Sequence, residues 1–231
     1  MFWIKKLIFS KHKVFLIKKT FKLRSFRFVR ELYYSIKHPE EKDLMLLVNE
    51  RHNTNSKIVF VDIGAFEGDF AWRMFEIYPF ARAYLVEPVP KFIGNLKSRL
   101  KKFDIYTIQK ALTATGEPVS LSDQGESSSS LIGDQTQIFE SISVRDLFNE
   151  IKEERIDLFQ LNCEGGEYKI LPELISSGEI WRVCALNIQF HYLSVRNIYC
   201  RHQIVKKLNV THKKIWNVPF VWERWEIRNK P

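Results

Sequence analysis

Paired cysteines are missing from this sequence. Its three, Cys163, Cys184 and Cys200, share no Cys-x-x-Cys spacing, and the six histidines are scattered. This argues against a disulfide framework and against a zinc site, so no metal is expected, and an odd set of thiols fits a reduced, cytoplasmic setting. No uninterrupted apolar run in the N-terminal region reaches the roughly 18 residues that a bilayer span needs. Runs such as residues 14–17 are also too short for a secretory signal core. Glycine is scarce, with nine in 231 residues, and no Gly-x-Gly-x-x-Gly occurs. A nicotinamide dehydrogenase is therefore the least favoured dinucleotide-type reading.

Acidic side chains are absent from residues 1–30, which carry ten Lys or Arg. The formal charge of +9 belongs to this arm, because the remaining 201 residues hold 26 basic and 27 acidic side chains. A neutral body argues against a nucleic-acid-binding core. Trp3, Leu7, Val14, Phe21, Phe28 and Leu32 form one stripe on a helical projection of residues 1–36, with bases over much of the remainder. Such a helix can lie in an anionic membrane interface, or it can cap the domain's own sheet or a second subunit in a homodimer. We therefore divide the chain into a basic amphipathic arm, 1–36, and one domain, 37–231. With 45% hydrophobic residues, that domain can fill a sizeable core.

The most informative segment is VFVDIGAFEGDF, residues 59–70. An apolar run ending at Asp62 enters a turn with Gly64 and Gly68 and then a helix-like stretch. A strand, glycine turn and helix in this order present backbone N–H groups to a ligand. ARAYLVEP reads as a second strand ending at Glu87, about 25 residues beyond Asp62. In a doubly wound sheet, an acid there lies beside the first turn and can accept hydrogen bonds from ribose hydroxyls.

Further along, helices are expected over 40–49, 70–78, 90–103 and 141–150, with IYTIQKAL as a third strand. Residues 156–161 form a fourth strand, followed by the polar run Asn162, Cys163, Glu164, Gly165, Gly166 and Glu167. A helix then runs to about Ser177, and VCALNIQF is a fifth strand reaching His191. A helix over 198–208 and strands near 213–216 and 220–227 close the chain. The polar stretch containing four serines, 127–130, is a candidate lid. The pattern is an α/β doubly wound sheet, mostly parallel, with an antiparallel final strand pair.

VDIGAFEGDF, YLVEPVPKFIGNL and IDLFQLNCEGGEYKILPEL together resemble the FkbM family of S-adenosylmethionine (SAM)-dependent methyltransferases, over roughly residues 56–228. IQFHYL and FVWERWEI are similar to a subgroup associated with surface-polysaccharide methylation. Two positions depart from the family pattern: Gln160 stands where Lys is usual, and Asn162 where Asp is frequent.

The resemblance implies a class I, Rossmann-like methyltransferase fold and SAM as the cofactor. It implies a cofactor site of Asp62, Gly64, Ala65, Gly68, Glu87 and Asn162, with Ser129 in the adenosine or acceptor wall. His191 is the first candidate for the base that deprotonates an acceptor hydroxyl, and Glu164 is the second or its orienting group. The expected acceptor is a sugar hydroxyl of a cell-surface glycan or its lipid-linked precursor. The expected location is the cytoplasm, with peripheral attachment to the inner face of the cytoplasmic membrane. Methylation of RNA or of another small molecule, and a catalytically silent scaffold with a SAM-type fold, are the competing readings.

Overall fold

The computed structural model describes residues 55–122 and 136–228. The basic arm, the expected helix over 40–49 and Ser129 with its neighbours 127–131 lie outside the described residues.

The first strand, β1 (Val59–Ile63), leads through the glycine turn into α1 (Asp69–Ile77). Next come β2 (Arg82–Val86), α2 (Pro90–Arg99) and β3 (Asp104–Ile108). Four short strands follow: β4 (Ala111–Thr113), β5 (Val119–Ser122), β6 (Thr136–Phe139) and β7 (Ser141–Ser143). Then α3 (Val144–Glu150), β8 (Leu158–Leu161), α4 (Glu167–Ser176) and β9 (Ala185–Ile188) rebuild the alternating pattern. The chain ends with α5 (Arg196–Thr211), β10 (His212–Val218) and β11 (Trp222–Ile227).

Seven strands form one sheet in the order β10-β11-β9-β8-β1-β2-β3. All neighbouring pairs from β9 to β3 are parallel, while β11 pairs antiparallel with both β9 and β10. Only β11 therefore runs against the rest. The chain winds outward from β1 to β3 and then crosses to β8 on the other side of β1. That reversal opens a crevice at the carboxyl ends of β1 and β8, the position where open α/β sheets bind ligands.

Strand periodicity fills both faces. Val61, Ile63, Phe159, Leu161, Leu186 and Ile188 share a core with Leu147 and Phe148 of α3, Leu171 of α4 and Leu208 of α5. The alternate residues Phe60, Ala83, Leu85 and Leu158 pack with Met74 and Phe75 of α1 and Leu96 of α2. Apolar runs buried on both sides are what a parallel sheet between helix layers requires.

Two expected elements divide in the structure. The stretch IYTIQKAL breaks after Ile108, and β4 pairs with β7 in a separate small sheet. The expected helix over 141–150 begins as β7, because Ser143 stays extended and caps the helix: its Oγ accepts from the Asp146 N–H at 3.0 Å.

Phe60 is fully buried and meets Phe70 and Phe75 edge-on at ring-centroid distances of 6.2 and 5.4 Å. Phe60→Ala should destabilise the fold by about 3–5 kcal/mol. Urea unfolding followed by tryptophan fluorescence measures it.

Candidate functional site

The turn after β1 is held by the strand beside it. The N–H groups of Gly64 and Ala65 both donate to the Val86 carbonyl, at 2.9 and 3.2 Å. Gly64 has φ +79, and a Cβ on it would lie 2.0 Å from the Asn162 carbonyl oxygen. Only glycine fits there, since both the dihedral and the contact exclude a side chain. Gly68, φ +80, caps α1, and its bare face receives Leu96 of the neighbouring helix α2 and Leu100 at that helix's end. Its role is helix packing.

Glu87 closes the turn. One carboxylate oxygen accepts from the Phe66 N–H and the other from the Val89 N–H, both at 3.0 Å. Phe66 itself has φ 49, an uncommon conformation for an aromatic residue, so this bond fixes a strained corner. Burial raises the Glu87 pKa, and the two backbone donors oppose that shift. Each oxygen keeps a further lone pair to offer a ligand hydroxyl.

A cavity of about 980 Å³ opens at this edge of the sheet. Gly64, Glu87, Asn162 and Glu164 line it, with Tyr168 and Lys110. Asp62 and Ala65 are 1% and 4% exposed and lie behind the lining. The structure therefore brings three of the expected cofactor residues to the wall and leaves Asp62, Ala65 and Gly68 supporting it from behind. Tyr168 and Phe66 are wall residues that the sequence pattern did not single out. Tyr168 gives no signal beyond its place just after the Glu-Gly-Gly-Glu run.

Asp62 sits opposite Gln160 across the β1–β8 ladder, and the Gln160 amide donates to its Oδ1 at 3.3 Å. The second oxygen of Asp62, the Gln160 Oε1 and the Asn162 Oδ1 are buried acceptors without a hydrogen-bond partner. Burial raises the Asp62 pKa to about 7, Gln160 lowers it in part, and the charge of Glu87 adds to the rise. Of these, Asn162 is on the cavity wall, and its unpartnered acceptor beside a side-chain-free backbone turn fits a ligand that carries hydrogen-bond donors, as the amino and ribose groups of SAM do.

His191 does not reach the cavity lining. Its backbone N–H donates to Glu167 Oε1 at 2.7 Å, its Nδ1 lies 3.2 Å from the same oxygen, and its Nε2 lies 3.3 Å from Glu164 Oε1. Burial alone would lower the imidazole pKa, but the bonds and charges of Glu164 and Glu167 overcome it and raise the pKa to about 9. The two carboxylates thus favour the imidazolium form of the ring. Of the two expected base candidates, the structure puts Glu164 on the cavity wall and His191 directly behind it.

Seven strands in this order, wound outward from a glycine turn beside an acid on the second strand, make up the class I methyltransferase fold. The family profile described as the methyltransferase FkbM domain matches residues 62–216. The chain belongs to the FkbM methyltransferase family, and SAM is its cofactor. None of the curated proteins matches the chain. Among solved structures it is similar to an FkbM methyltransferase of Methylobacillus flagellatus, with 13% identity and a TM-score of 0.51. That match covers 76% of this chain and 44% of the other. It is also similar to a putative rRNA methylase of Clostridium thermocellum, with 9% identity and a TM-score of 0.51, covering 84% and 96% of the two chains. At these identities the likeness is one of fold.

Two outcomes follow. Gly64→Ala should abolish SAM binding in calorimetry and lower stability by about 1–3 kcal/mol, from its strained dihedral alone. Asp62 has an ordinary pKa of 3.8 and a folded value of about 7. The raised value means its contribution is intact below pH 4 and is lost as pH rises through 7. Relative to Asp62→Asn, the wild type should lose about 4 kcal/mol of stability across that window, at about 1.4 kcal/mol per pK unit. Urea unfolding free energies of both proteins at about pH 3.5 and about pH 8, either side of the titration, measure the difference.

Proposed function

We propose that this chain transfers the methyl group of SAM to a sugar hydroxyl of a cell-surface glycan or its lipid-linked precursor. The observation that carries the reading is the composition of the cavity wall. Asp69, Glu87, Glu117 and Glu164 face Lys110 and Lys169 there. More carboxylates than cations suit a neutral, hydroxyl-rich acceptor and repel the phosphates of RNA. The wall also carries Thr113 and Ser120, whose hydroxyls can donate to and accept from a sugar, and Thr115 and Tyr168, whose hydroxyl oxygens can accept from one.

Bound SAM supplies an electrophilic methyl group on a sulfonium. The Gly64 turn and Glu87 would hold it, Asn162 would offer an acceptor from the neighbouring strand, and the enzyme's contribution would be alignment and exclusion of water. A cavity near the top of the usual range of about 300–1,000 Å³ has room for cofactor and acceptor together.

The acceptor's membrane context is supplied by residues 1–36. Each of the basic side chains there adds about 1 kcal/mol at an anionic surface. Among the described residues no helix is long and apolar enough to cross a membrane. Peripheral attachment at the inner face of the cytoplasmic membrane is the reading we adopt.

Incubation with methyl-labelled SAM and a fractionated glycan extract, followed by linkage analysis, should yield one methylated sugar position. Label appearing in RNA and not in glycan would replace this reading with the competing one. For the arm, the full chain should co-sediment with phosphatidylglycerol vesicles at low salt and release as ionic strength rises. Equal sedimentation with phosphatidylcholine vesicles would remove the electrostatic attachment.

A further inference from the structure

The loop between β8 and α4 is held in an uncommon conformation by its own hydrogen bonds. Glu164 adopts φ 48 and Gly165 φ 109, two successive left-handed residues. A non-glycine residue there is strained and persists only where its surroundings impose it. The surroundings are visible. The Gly165 N–H donates to Glu167 Oε2 at 2.8 Å, and a Cβ on Gly165 would lie 2.6 Å from Leu193.

Glu167 is the anchor. Its side chain is 0% exposed, against 4% for His191 and 22% for Glu164. One oxygen takes both the backbone N–H and the Nδ1 of His191; the other takes Gly165 N–H and contacts the Cys163 thiol at 3.7 Å. Tyr168 fixes the same residue from the cavity side by donating its hydroxyl to the His191 carbonyl at 2.6 Å. Carboxylate, imidazole and carboxylate thus form a line from the core to the cavity, and only its outer member, Glu164, is on the wall.

We propose that Glu164 is the group that takes the acceptor's proton, and that His191 and Glu167 are positioning residues that clamp its carboxylate toward the cavity. This rests on the methyl-transfer reading above. As the acceptor oxygen bonds to the methyl carbon, the carbon–sulfur bond breaks with its pair going to sulfur, and the hydroxyl proton passes to Glu164. Solvent then removes that proton through the open cavity. His191 cannot exchange roles with Glu164 without leaving both carboxylates, since each ring nitrogen faces one.

The groups that face His191 are Glu164 and Glu167, with Cys163 and Tyr168 on the same segment. The Arg201–Glu223 pair, where α5 meets β11, lies beyond Phe190, with the Arg201 guanidinium 5.6 Å from that ring. Two carboxylates at contact distance dominate this set.

The test uses the full chain with ring-labelled histidine, the His191 signal being identified by its absence in His191→Asn. NMR should show an imidazolium that persists through pH 8, with Glu164→Gln and Glu167→Gln each moving the midpoint down by about one unit or more. Calorimetry should show Glu164→Gln binding SAM within about threefold of wild type, while its kcat on the glycan fraction falls about 100-fold or more. Wild-type kcat should fall as His191 deprotonates at alkaline pH, and His191→Asn should lower kcat while abolishing that fall. A His191 midpoint near its ordinary value with SAM binding intact overturns the clamp. A kcat that rises as His191 deprotonates, or a fully active Glu164→Gln, overturns the proton role. Loss of SAM binding by the wild type would instead sink the methyltransferase reading itself, and the histidine titration would still decide the clamp.

Discussion

The site depends on the contact between the ends of β1 and β8. The Asn162 N–H donates to the Ile63 carbonyl at 3.0 Å, while its own carbonyl presses on the bare α-carbon of Gly64. No side chain separates the two strand exits. The cofactor turn and the Glu164 loop therefore leave the sheet side by side, into the crevice that the reversed winding opens. Parallel pairing sets the register of Asp62 to Gln160 and of Ile63 to Leu161, and the contact fixes where pairing stops. A larger residue at position 64 would part the strands and move both halves of the site at once.

That register also explains the unusual state of Asp62. The family pattern usually carries a lysine where this chain has Gln160, and a lysine there would stand beside the Asp62 carboxylate. Gln160 supplies one neutral donor, so burial is left uncompensated and the proton stays on to about pH 7. Asn162 in place of an aspartate removes a second charge from the same strand end. The floor of the crevice is thus less charged than the family pattern implies. The charge sits one step further along the chain, where Glu164, His191 and Glu167 compensate one another.

Much of the fold was legible because its signals are local and redundant. Apolar strands, glycine turns and amphipathic helices recur in an order that permits few sheets, and the Glu87 spacing picked out the strand beside β1. The places where the reading failed have a common physical cause. IYTIQKAL has uniform strand propensity, yet its last residues pair with β7 and not with the main sheet, a choice made by tertiary contact. The site was legible as an edge of the sheet and not as a set of directions. Asp62, Ala65 and Gly68 belong to the right motif, but strand alternation and helix packing turn them away from the cavity. His191 lies three residues past the end of β9, and nothing in its neighbours along the chain reveals that Glu167, 24 residues earlier, holds its backbone and ring. The Glu-Gly-Gly-Glu spacing did contain the answer, since three residues bring two carboxylates to one loop with glycines free to fold it.

A buried carboxylate such as Glu167 is poor evidence for stability in itself. Desolvating two charges costs several kcal/mol each, and a well-packed apolar pair of the same volume is often as stable or more so. What an apolar pair lacks is direction. The carboxylate accepts from Gly165, from the His191 backbone and from the His191 ring, and each bond is lost if the loop shifts by about an ångström. The same three bonds let a non-glycine residue, Glu164, remain in a left-handed conformation that the chain would otherwise avoid. Strain at Glu164 and burial at Glu167 are therefore two ends of one device. Stability is spent there to keep a single carboxylate aimed at the wall of the cavity.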